Sequence, residues 1–295
     1  MRAIYSFFAL LLALITYAQC QQTAEEWYDR GVDLSMQGNY EEAIQAYDEA
    51  IKLNPNLAEP RYNKAQALSR QGKYEEAVQA YDEVIKLNYN PAEVWYNKGV
   101  VLYYQNKFIE AETSFDKAVE INPQFAKAWN NKADILNRIG KYDEAINASG
   151  KAIELDPTIA EAWYNKGNSL LQQGKHGEAI EAFDKAIELN PNYVEALANK
   201  GGSLEQLGKY DEAIQVLNKA IELNPNIAES WYTKGVALLM QGEYNEAVQA
   251  FDKTNEINPN IAPAWYNRGV ALAKLGRTEE AEASIDKAKE LGLTG

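Results

Sequence analysis

Residues 24–57 read AEEWYDRGVDLSMQGNYEEAIQAYDEAIKLNPNL, and the same 34-residue pattern then returns seven more times without a gap. The copies span 24–57, 58–91, 92–125, 126–159, 160–193, 194–227, 228–261 and 262–295, which leaves no room for a second domain beside them. A period of this length marks one supersecondary unit that cannot bury its apolar side alone and stacks on its own copies.

The recurring positions say what the unit is. Gly recurs at the fifteenth position (Gly38, Gly72, Gly140, Gly174, Gly208, Gly242, Gly276), with Asn106 in its place in repeat three. Only such residues accept the left-handed conformation that closes a helix, so a first helix A ends there. Asn-Pro or Asp-Pro then closes a second helix B at Pro55, Pro123, Pro157, Pro191, Pro225 and Pro259, because the residue before Pro is pushed out of the helical region. Small residues at the eighth position and an unvarying Ala at the twentieth predict that A and B cross closely there. All six tryptophans (Trp27, Trp95, Trp129, Trp163, Trp231, Trp265) fall at the fourth position and read as core plugs between a helix and its predecessor. Helices of about a dozen residues are marginal in isolation, so stability must come from neighbours.

This pattern resembles the tetratricopeptide repeat family, whose 34-residue helix-turn-helix signature carries Trp, Gly, Ala, an aromatic residue and Pro at set offsets. The resemblance covers residues 24–295 and implies an all-α fold, an α-solenoid superhelix of stacked antiparallel helix pairs. Two copies depart from the pattern. Repeat two has Arg61 for Trp, Tyr89 for Pro, and a displaced Pro91, so its junction with repeat three is expected to shift; repeat six has Leu197 for Trp, a smaller plug. At the ends, Thr23 and Glu26 form a capping-box pattern. Glu282 stands where Ile44, Ile146, Ile180 and Ile214 stand, and Lys289 where Ile51, Ile153, Ile187 and Ile221 stand, as expected if Gly295 closes the array.

The amino end is read differently. Arg2 followed by the uncharged run AIYSFFALLLALI (residues 3–15) has the form of a secretory leader. Thr16-Tyr17-Ala18 predicts cleavage after Ala18, a signal peptide over 1–18, a linker over 19–23, and a secreted or cell-envelope location. Cys20 is a possible lipidation site, against which stand Gln19 and Tyr17 beside it. A membrane association is expected only through Cys20 or an uncleaved leader.

Composition excludes several kinds of work. With 43 acidic against 29 basic residues the net charge is −14, which repels a phosphate backbone, so no nucleic-acid partner is expected. One Cys and one His leave no disulfide framework, no Cys/His metal site and no cofactor to expect. The lone His176 replaces a ring at the start of helix B. The stretch from Gly202 to Gly208-Lys209 has the wrong glycine spacing for a phosphate loop, with no strand before it. Glu41-Glu42 and its equivalents sit at the start of helix B, where the helix dipole favours negative charge. The sequon Asn147-Ala148-Ser149 is too common a tripeptide to carry weight. No nucleophile lies beside a base, so no enzyme is expected.

Recognition remains. The family resemblance implies that positions 2, 5, 9, 12 and 13 of each repeat face a concave groove that receives peptide or protein segments. Position five supplies Tyr28, Tyr62, Tyr96, Tyr164, Tyr232 and Tyr266, rings that combine apolar area with a hydroxyl tip. Repeats four to six interrupt the ladder with Asn130, Asp134, Asn137, Arg138, Asn168, Ala198, Gly202 and Glu205, a stretch expected to set specificity through a pocket between two aromatic banks. The clamp by which chaperone-binding relatives hold a carboxyl terminus needs Lys at position five and is missing. The alternative is a subunit that assembles an envelope complex through its convex or terminal faces.

Overall fold

The structure, a computed structural model, describes residues 22–89 and 91–293. The leader, its cleavage site and Cys20 lie outside the described residues. Sixteen α-helices and no strands are found among those described. The chain divides into two compact units, Met1–Ala128 and Trp129–Gly295.

The first unit holds α1 (Ala24–Met36), α2 (Tyr40–Leu53), α3 (Glu59–Arg70), α4 (Tyr74–Lys86), α5 (Ala92–Tyr104) and α6 (Phe108–Ile121). The boundary falls inside α7 (Ala126–Arg138). The second unit continues with α8 (Tyr142–Leu155), α9 (Ala160–Gln172), α10 (His176–Leu189), α11 (Val194–Gln206), α12 (Tyr210–Leu223), α13 (Ala228–Gln241), α14 (Tyr244–Ile257), α15 (Ala262–Lys274) and α16 (Thr278–Glu290). Odd-numbered helices are the A helices and even-numbered ones the B helices. Within each unit consecutive helices pack in pairs and each B helix also packs on the next A helix.

Local chemistry places the ends as expected. The Glu26 backbone N–H donates to Thr23 Oγ1 at 3.2 Å, and the Thr23 N–H donates to Glu26 Oε2 at 2.7 Å, a reciprocal cap on α1. Gly38 turns left-handed with φ 82°, which lets the Asn39 N–H reach back to the Leu34 carbonyl at 2.9 Å. Asn106 takes the same conformation, φ 59°. Before Pro55, Asn54 is extended (ψ 93°), so α2 stops there. At the second junction α4 ends early at Lys86, and a left-handed Asn88 (φ 58°) replaces the Asn-Pro stop. Pro91 then caps α5, which starts in register at Ala92.

The core differs from expectation in which ring fills it. The fully buried rings are Tyr47, Tyr81, Phe115, Phe183 and Phe251, all at the twenty-fourth position, on the B helices. Each lies against the small residue at position eight of its own repeat. A Cβ on Gly31 would come within 2.4 Å of the Tyr47 ring, and one on Gly235 within 2.6 Å of Phe251. The tryptophans, expected as core, are only half-buried. Their rings edge the junctions, with Arg30, Lys98, Lys132, Lys166 and Lys234 set over five of them at 5.1–5.8 Å. The indole N–H of Trp163, Trp231 and Trp265 donates to the carbonyl of Pro157, Pro225 and Pro259 at the end of the preceding repeat. An indole must keep its N–H bonded, and this tie holds the ring at the rim. Arg61, in the Trp position of repeat two, makes the matching tie to the Leu57 carbonyl at 2.9 Å and an ion pair to Glu83 at 3.3 Å. Leu197, the smaller plug, is buried.

Candidate functional site

The tyrosine ladder is in place, and the rings of repeats one, two, three, five and seven have structural employment. Tyr28, Tyr62, Tyr164 and Tyr232 accept a hydrogen bond at Oη from the amide of Asn63, Asn97, Asn199 and Asn267, in the next repeat, at 3.1, 2.8, 3.5 and 3.3 Å. Their rings tilt against Tyr47, Tyr81, Phe183 and Phe251 with centroids about 6.1 Å apart at most. Burial raises the phenol pKa of all four above its ordinary value. Tyr96 packs on Phe115 and Phe125 in the same way, whereas Tyr266, in the last repeat, is 42% exposed. The ladder is thus a half-buried wall. Sequence reading overlooked the asparagines at position six that lock it; their recurrence thirty-five residues after each Tyr was the signal.

In repeats four and five the interrupting amides bond to polar side chains of the next copy. Asn165 donates to Asn130 Oδ1 at 3.0 Å, Asn137 donates to the Asn165 carbonyl at 2.9 Å, and Ser169 donates to Asn137 Oδ1 at 2.6 Å. Asn137 and Asn165 are buried, so this network takes the place of the aromatic pair: Asn130 and Ser149 stand where repeats one, two, three, five and seven carry two rings. Arg138 is paired with Asp134 at 3.2 Å, one turn before it on α7. Asn168 and Glu205 are half-buried, and Gln206 donates to Glu205 at 2.8 Å. The pocket expected between two aromatic banks finds its amides turned inward, because a buried amide must bond and these bond to each other.

Two hollows open on the A-helix face of the first unit. One, of about 500 Å³, lies between α1 and α3 and is lined by Val32, Met36, Tyr40, Tyr47, Asn63 and Arg70 among others. The other, of about 530 Å³, lies between α3 and α5, lined by Gln66, Arg70, Tyr74, Tyr81, Tyr96 and Tyr104 among others. Met36 is 82% exposed and Tyr104 59% exposed. Tyr104 stacks on Tyr74 at 5.6 Å and 10°, and Tyr103 meets both Tyr104 and Phe108 edge-on. Ile109 beside them is also exposed. None of Met36, Arg70, Tyr74, Tyr103 or Tyr104 was singled out from the sequence, although Tyr103-Tyr104 at positions twelve and thirteen has no counterpart in the other repeats. Exposed rings beside amides and one guanidinium form a surface suited to a side-chain-rich segment.

Among the described residues no three His, Cys, Asp or Glu side chains gather as a metal site, and no helix is long and apolar enough to cross a membrane. His176 opens α10 with Nδ1 buried and unpartnered.

Comparison with known proteins agrees with this geometry. Residues 158–295 match the family model described as the cilia and flagella-associated protein 70 C-terminal domain. Models described as TPR repeat match residues 36–72 and 133–174, and two described as tetratricopeptide repeat match residues 62–124 and 114–147. The chain is similar to YrrB, described as a TPR protein with an unusual peptide-binding site, at 31% identity and a TM-score of 0.54, covering 60% of this chain and 92% of that one. It is similar to MamA at 30% identity and a TM-score of 0.51, covering 54% and 93%. MamA from Desulfovibrio magneticus RS-1 matches at 24% identity and a TM-score of 0.53, covering 56% and 94%, a likeness of fold alone. No curated protein matches the chain.

Proposed function

Because the chain belongs to the tetratricopeptide repeat family, we propose that it is a protein-interaction scaffold that receives extended peptide segments on the A-helix face of its first three repeats. The observation that carries this reading is the pair of ring-lined hollows between α1, α3 and α5, edged by the exposed side chains of Met36 and Tyr104. Water-exposed apolar side chains gathered beside polar ones mark recognition surfaces. The likeness to YrrB supports a peptide as ligand. The leader-like run at residues 3–15 supports work outside the cytoplasm, with the scaffold released or held at the envelope. No step of bond making or breaking belongs to this role.

The test replaces Met36 and Tyr104 with Ser and compares capture of partners from an envelope or culture fraction. Lost capture with unchanged helical content is expected; unchanged capture would remove the groove from the account. One observation favours a second reading, assembly through a face other than the groove. The same hollow opens in repeat one, about 600 Å³ lined by Trp27, Arg30, Leu34 and Ala46 among others, and in repeat five, about 520 Å³ lined by Trp163, Lys166, Leu170 and Ala182 among others. Under that reading Leu34→Ser abolishes capture while the groove variant keeps it.

A further inference from the structure

Arg70 is the last residue of α3 and lines both hollows, the one shared with α1 and the one shared with α5. It is exposed and joins no ion pair among the described residues. Its counterpart at the same position of repeat four, Arg138, is held by Asp134 one turn earlier. In repeat two that earlier position is Gln66, an amide with no charge to offer. Four of the cations at position seven are also occupied: Lys64, Lys98, Lys200 and Arg268 each pair with the Asp sixteen residues before. In a chain of net charge −14, Arg70 is a guanidinium left unpaired among rings and amides. Its planar fork of donors matches a carboxylate, and the open hollows on both sides leave room for one to approach.

Resting on the peptide-scaffold reading, we propose that Arg70 anchors the side-chain carboxylate of an internal Asp or Glu in an extended segment with apolar or aromatic side chains on both sides. One flank fills the α1–α3 hollow against Val32 and Met36, and the other fills the α3–α5 hollow against Val100 and Tyr104. The placement of Arg70 between two hollows selects an internal acid over a chain end, since a terminal carboxylate at Arg70 leaves one hollow empty. Gln66 and Asn97 lie along the α3–α5 hollow, where their amides can meet the segment's backbone.

The test pans a phage-displayed random dodecapeptide library, with no free peptide carboxyl end, on the full chain and on Arg70→Gln. Enriched sequences are then made as acetylated, amidated peptides and measured by fluorescence polarisation beside an Asp→Asn partner and a version truncated after the acid. The expected result is one shared Asp or Glu flanked by apolar residues. In the wild-type chain the Asn partner binds about ten-fold or more weakly, as a charge-assisted bidentate pair commands; in Arg70→Gln the two bind alike. Enrichment without a shared acid, or equal Asp and Asn affinity in the wild type, overturns the proposal and leaves the scaffold reading standing. Equal binding of the truncated peptide overturns the internal placement. No enrichment at all removes the scaffold reading with it.

Discussion

Asn97 Nδ2 donates to Tyr62 Oη at 2.8 Å across the junction of repeats two and three, although the two residues lie thirty-five apart in the chain. The bond ties helices α3 and α5 side by side and draws the Tyr62 ring against Tyr81. Losing it leaves a half-buried phenol without a partner, which costs on the order of 1 kcal/mol. Asn97→Ala and Tyr62→Phe should each lower the urea midpoint by a similar amount. A double-mutant cycle should show them coupled, and simple additivity would mean the bond contributes nothing.

Gly235 and Phe251 make a second kind of contact. A Cβ at 235 would stand 2.6 Å from a ring that is 0% exposed, so the ring or a helix must move. Overpacking of this kind costs roughly 1–3 kcal/mol, against about 1 kcal/mol of helix propensity gained by Ala over Gly. Gly235→Ala should lower Tm in the wild-type chain and cost much less in a Phe251→Ala background, where the ring it collides with is gone.

Asn255 is buried in α14 with neither amide atom bonded among the described residues. Repeats one, two, four, five and six carry Ile at the equivalent position. An unpartnered buried amide costs roughly 1–3 kcal/mol. Asn255→Ile should therefore raise the denaturation midpoint, and a lowered one would show that the amide has a partner after all.

Gly150 leaves Lys166 without the Asp that Lys64 and Lys98 find at 2.6 Å in Asp48 and Asp82. A side chain at 150 meets nothing within 4 Å. Gly150→Asp should stabilise by about 1 kcal/mol, mostly from removing a helix-interior glycine and less from the new pair. The gain should shrink but survive in 1 M salt, read from thermal melts at two ionic strengths.

The raised phenol pKa values of Tyr62, Tyr164 and Tyr232 have a pH consequence. Below pH 10, the ordinary value, folded and unfolded chains both keep the phenolic proton and the contribution is intact. Above it the unfolded chain releases protons that the folded chain still holds, so stability falls until the folded phenols ionise as well. Urea midpoints should drop between pH 9 and pH 11, and Tyr164→Phe should flatten that drop.

Periodicity made most of the fold readable. Glycines, prolines and the unvarying Ala mark local backbone needs, and such needs hold wherever the chain sits. Side-chain partnerships were harder to read. Trp27 and its equivalents looked like core because they are large, yet Tyr47 on the other helix fills the core, since burial depends on which residue faces Gly31 and not on size alone. At the candidate site the same reason hid the partners of Asn130 and Asn137, which are Asn165 and Ser169 of the next copy. Arg70 passed unnoticed because what sets it apart from Arg138 is Gln66, the uncharged neighbour one turn before it.

The ties that hold these helices reach no further than the adjacent copy, which makes the chain editable in whole units. If residues 58–91 were excised in frame, Lys98 would meet Asp48 and Asn97 would meet Tyr28, the same chemistries that Lys64 and Asn63 supply now. A shortened chain that still melts cooperatively would show that copy number can drift by duplication and loss. The same cut deletes Arg70, so ancestral changes of length would carry ligand choice with them.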